Sequence, residues 1–134
     1  MITPQDFFKN TSLYGALIGT WSRVETDLVV HMELAGYNQP KFDPQIDAEI
    51  RPVVMIFRSI FAMNEETRFF SVPKNGDARV ISQEMTMELG SKSGILEITC
   101  EVESYASPES VGAIDYVTLR FRFGGVEVID APKL

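Results

Sequence analysis

The chain has one cysteine, one histidine and one tryptophan in 134 residues. A single Cys100 excludes an internal disulfide framework and any multi-cysteine metal site. A single His31 excludes chemistry that needs two imidazoles from one chain. Apolar runs such as Val53 to Phe57 are far too short to span a bilayer. The opening Thr3-Pro4-Gln5-Asp6 lacks the basic stretch and apolar run of a signal peptide, so a cytoplasmic or virion location is expected. Basic residues are also in deficit: 12 Lys and Arg stand against 19 Asp and Glu, a formal charge of -7. That sign repels phosphate backbones and anionic membrane surfaces, so neither nucleic acid nor membrane is expected as a partner.

What is present is enough for one packed domain over residues 1–134, with 45% hydrophobic and 23% charged residues. Thr3 followed by Pro4 reads as a helix start. The hydroxyl accepts an amide hydrogen, and proline at the first helical position gives up a donor that would have had no partner. Asp6 in the first turn suits the helix dipole, and a short helix through Phe7 and Phe8 follows.

Two segments fit either period. Over residues 12–35, Tyr14, Leu17, Ile18, Trp21, Val24, Leu28 and Met32 make a helical stripe. At period two, Val24, Thr26, Leu28, Val30, Met32 and Leu34 share one face, with only Val29 out of place on the other. The Val and Thr content favours a strand from about Trp21. Residues 50–63 fit a helix with Pro52 in its first turn, or a strand buried on both faces, which Val53-Val54-Met55-Ile56-Phe57 favours. Thr67 to Val72 reads as a short strand, and Asn75-Gly76-Asp77 as a turn.

The C-terminal half alternates cleanly. Ile81, Met85, Met87 and Leu89 lead through a turn at Gly90 to Gly94 into Leu96, Ile98, Cys100 and Val102. A Ser107-Pro108 loop precedes Val117, Leu119, Phe121 and Phe123, and Gly124-Gly125 turns the chain into Val126 to Ile129. This is an antiparallel meander with one apolar face. The expected fold is mainly β, an antiparallel sandwich or barrel of about six or seven strands with an N-terminal helix. If both two-period segments are helical, it becomes an α+β fold with helices on the meander.

The five-residue turn places Glu88 near Glu97 and Glu84 near Glu101, with Arg120 and Arg122 on the next strand beside them. The face so formed is an acidic one partly offset by arginine, either simply solvated or meeting the basic side chains of a neighbouring subunit. No catalytic, cofactor or metal-binding pattern is present. His31 has no nucleophile set beside it, Cys100 lies on an apolar face, and the glycine pairs join strands rather than opening a helix.

The run Leu17-Ile18-Gly19-Thr20-Trp21 resembles the opening of the calycin barrels, the lipocalin and fatty-acid-binding group. The resemblance implies a ligand cavity inside a barrel, with Trp21 stacked on Arg120 or Arg122. Met85, Met87 and Phe121 would then line a cavity for a small apolar ligand. The other reading, which the absence of catalytic groups favours, is a non-catalytic subunit of a homo-oligomeric assembly such as a tube, ring or virion part. It would associate through an edge strand and through exposed Phe7 and Phe8.

Overall fold

A computed structural model describes residues 1–73, 78–104 and 113–131. The helix α1 (Pro4–Asn10) is followed by β1 (Leu17–Val24), β2 (Asp27–Ala35), β3 (Ile50–Arg58) and β4 (Phe61–Ala62). Then come a second helix α2 (Glu65–Phe69), β5 (Ala78–Met87), β6 (Gly94–Ser104), β7 (Ala113–Phe123) and β8 (Gly125–Asp130). All eight strands belong to one antiparallel sheet in the order β4-β7-β6-β5-β1-β2-β3-β8. The fold is mainly β, as the alternation required, and both two-period segments are strands. No helix among the described residues is long and apolar enough to cross a membrane.

The edge strands β4 and β8 do not pair with each other, so the sheet is not closed edge to edge. Each is nevertheless the continuation of an interior strand past a bend. Arg58 of β3 lies opposite Gly125 of β8, and Phe61 of β4 lies opposite Arg122 of β7. The step is three residues forward on one strand and three back on the other, so the register survives the bend. Ser59 makes that bend with φ 54°, and the Gly124 amide donates to the Arg58 carbonyl at 2.9 Å. Gly124-Gly125 is therefore not a hairpin turn: it carries the chain from one end of the sheet to the other, and the sheet is rolled.

Three local expectations are corrected. Residues 21–34 are not one strand, because Glu25 and Thr26 form a two-residue hairpin loop between Val24 and Asp27. Glu25 takes φ 58°, at the loop position such hairpins usually give to glycine. No strand forms over Thr67 to Val72: Thr67 to Phe69 belong to α2, because the Asn64 side chain accepts the Thr67 amide at 3.0 Å and caps a helix, and residues 70–72 are in no helix or strand. The β5–β6 connection runs from Glu88 to Ser93, longer than the Gly90–Gly94 turn, and β6 begins at Gly94 opposite Met87. A bulge at Ile81 shifts the register once more. The Asn75-Gly76-Asp77 and Ser107-Pro108 turns lie outside the described residues.

The helix α1 begins as the Thr3-Pro4 pair dictates, with the Thr3 hydroxyl accepting the Asp6 amide at 3.2 Å. It packs between β5 and β8 and drives Phe7 into the concave side of the sheet. There Phe7, Phe57, Phe121 and Phe123 are fully buried, and their rings meet edge to face or tilted, with centroids 5.1–6.1 Å apart. Two glutamines fasten the chain after α1. Gln83 on β5 accepts the Leu13 amide at 2.7 Å, and Gln39 accepts the Ser12 amide at 2.9 Å. Gly94 is required by close approach, since a Cβ there would fall 2.7 Å from Pro4 and 2.8 Å from the Phe8 ring.

Candidate functional site

The outward side of β5, β6 and β7 differs from the face expected. Glu84 lies opposite Glu97, which lies opposite Arg120. Glu101 lies between Arg79 and Tyr116, not beside Glu84. Glu88 sits at the strand end and pairs with Arg122 at 3.4 Å, while the Arg122 guanidinium rests 5.0 Å from the Phe61 ring centre. Thr99 and Thr118 share a hydrogen bond at 3.0 Å between these rows. Cations thus interrupt the carboxylates, and the position of the β5–β6 connection is the reason: it begins at Glu88 and not at Gly90, which moves the register that the expected turn would have set. The result is a mixed polar surface in place of a one-signed acidic one.

The other candidate residues are scattered. Phe7 has no exposed surface, so the expectation that it meets a partner is corrected: it is core. Phe8 is half-buried against Phe123, their rings 5.7 Å apart. Trp21 is half-buried and packs edge-on against Phe70 at 5.5 Å and Phe121 at 6.0 Å, not on an arginine. Met85 and Met87 are half-buried on β5. A calycin meander would pair successive strands, whereas here β5 lies beside β1 and β7 beside β4. The concave interior between these residues holds the phenylalanine rings.

The outward side of β2, β3 and β8 is different in kind. Along β3, Val53, Met55 and Phe57 are buried inside, so Val54 and Ile56 point out and are only half-buried. Across the ladder Val54 lies between His31 and Ile129, and Ile56 between Val29 and Glu127. Val29, Val54, Ile56 and Ile129 are therefore contiguous on the outer surface, with Ile129 48% exposed. An ion-pair cluster bounds this patch. Arg58 reaches Asp27 at 2.6 Å and Glu127 at 3.0 Å, and Asp27 also accepts the Ser59 amide at 3.2 Å. The Arg58 hydrogen bond holds the Asp27 carboxyl below its usual range, and Asp27 and Glu127 raise the Arg58 guanidinium in turn.

The chain matches no family model, no curated protein and no solved structure. No group of three or more His, Cys, Asp or Glu side chains stands close enough to hold a metal ion among the described residues. Cys100 is buried on β6, and burial pushes its thiol up to about 12, which keeps it protonated and unreactive at neutral pH.

The patch residues were missing from the candidates read in the sequence, yet two signals pointed to them. Val29 broke the alternation of β2, and β3 read as a strand buried on both faces. Both follow from one fact: the second face of β3 is apolar although no element among the described residues covers it.

Proposed function

We propose that this protein is a non-catalytic structural subunit of a homo-oligomeric assembly, joined to a second copy through the outer face of β2, β3 and β8. The observation that carries the reading is the contiguous row Val29, Val54, Ile56 and Ile129. A strand apolar on both faces belongs between two layers, and here the described residues supply one. Two such faces meeting about a two-fold axis would bury β-branched side chains against β-branched side chains. The Arg58–Asp27–Glu127 cluster would sit at the rim, where charge sets orientation more than affinity.

The test is native mass spectrometry with sedimentation velocity on the wild-type chain and on Val54→Glu with Ile129→Glu. The wild type should run above monomer mass, and the double variant should be monomeric with unchanged circular dichroism. A wild-type monomer at high micromolar concentration, or an oligomer untouched by both charges, would sink the proposal.

A further inference from the structure

A cavity of about 400 Å³ opens on the other side of β3 and β8, away from the oligomer face. Phe42 and Val128 form its apolar wall, and the wall ends in a polar rim that includes Lys41, Asp47, Arg51 and Asp130. Leu34 and Met55 are buried beneath it, part of the same packed interior as the phenylalanine cluster. Gly36 closes one side: its amide donates to the Glu49 carbonyl at 2.7 Å, and a Cβ there would overlap the Ala48 carbonyl. The loop between β2 and β3 is therefore fixed against the cavity at that point. The volume lies within the ordinary range of small-molecule sites, which are apolar with a few placed polar groups.

The rim determines the chemistry. Its two carboxylates are engaged by the protein's own donors: Asp130 accepts Arg51 Nε at 2.7 Å, and Asp47 accepts the Asp43 amide at 2.9 Å. Its two cations retain capacity. Arg51 uses only Nε in that pair, and Lys41 has no ion pair among the described residues. A guanidinium presents its terminal nitrogens as a fork suited to a carboxylate, and an ammonium adds a point charge beside it.

We propose that this cavity is a binding site for a small amphipathic carboxylate, with its apolar body on Phe42 and Val128, above the buried Leu34 and Met55, and its head group on Arg51 and Lys41. The acid competes with Asp130 for Arg51, so Asp130 limits affinity. The site is independent of the oligomer face, because Met55 and Val128 point to the opposite side of the sheet from Val54 and Ile129.

The probe is 4-phenylbutyrate, titrated into the ¹⁵N-labelled full chain and followed by amide shifts, with 4-phenylbutan-1-ol and 4-phenylbutylamine as matched neutral and cationic forms. Saturable shifts should centre on Leu34, Gly36, Arg51 and Val128. The acid should bind at least threefold more tightly than the alcohol, and the amine more weakly still. Lys41→Gln, an exposed change that leaves the fold intact, should weaken the acid at least threefold without moving the alcohol. Asp130→Ala should tighten the acid at least twofold, which a merely structural role for Asp130 would not do. Shifts scattered away from the cavity, equal binding of alcohol and acid, or unchanged or weaker binding to Asp130→Ala would each overturn the proposal.

Discussion

The outer surfaces of the two halves of the sheet are built from the same kind of alternating strand and end in opposite character. On β5, β6 and β7 the outward positions hold Glu84, Glu97, Arg120, Thr99 and Thr118, each facing an opposite charge, a like charge or another hydroxyl. On β2, β3 and β8 the outward positions at the centre hold Val29, Val54, Ile56 and Ile129. The inner faces are alike, since both contribute phenylalanines to one cluster. The core is built from the inner face, so the two halves differ mainly in what they present outside. One half is dressed for water; the other carries apolar side chains that water alone does not reward.

Adjacent residues on β3 separate the two roles most sharply. Phe57→Ala empties a fully buried ring site and should cost about 3–5 kcal/mol of unfolding free energy. Ile56→Thr, one residue away on the outer side, should cost less than about 1 kcal/mol. Denaturant titration reads the first effect and sedimentation the second: association should fail in Ile56→Thr and persist in whatever Phe57→Ala remains folded. Reversed readouts would mean that the outer face supports the fold and not the assembly.

The inner face of the polar half predicts a pH effect. The Cys100 thiol is raised to about 12 when folded, whereas an unfolded thiol ionises near pH 8.5. Between those values the unfolded chain has lost its proton and the folded chain has kept it, so stability falls as pH rises. The slope approaches ~1.4 kcal/mol per pH unit. Cys100→Ala should remove that part of the alkaline slope in denaturant curves from pH 8 to 11. An identical slope in the variant would contradict the burial.

The smallest expected effect lies on the polar face itself. Glu84→Gln relieves the like-charge contact with Glu97 and should raise stability by a few tenths of a kcal/mol, up to about 1. Oligomer mass should not move. A change in mass would return the β5–β7 face to consideration as a contact surface.

How much of this was legible without coordinates depended on whether the information was local. The Thr3-Pro4 helix start and the alternation of β6 and β7 are local, and they appear as read; on β5 Met85 and Met87 do as well, but Ile81 is the bulge and Leu89 lies past the strand end and is fully exposed. The α2 cap is equally local, in Asn64, but the strand reading of Thr67 to Val72 took no account of it. Register was not local: four residues of error at the β5–β6 connection and one more at the Ile81 bulge set Glu101 against Glu84 when its partner is Arg79. The cavity was invisible for the same reason. Leu34, Met55 and Val128 come from three strands, and only the rolled topology brings them together.

The bend that lets two strands serve both ends of the sheet also governs how the chain emerges during synthesis. Val53 finds its partner at Asp130 and Phe61 at Arg122, so β3 and β4 leave the ribosome long before β7 and β8 exist to pair with them. Until then β3, apolar on both sides, has β2 as its sole neighbour in the ladder. Such long-range pairing makes folding slow and leaves an aggregation-prone strand waiting. Nascent chains stalled before β7 should therefore recruit holding chaperones, and the first productive compaction should coincide with the arrival of the last two strands.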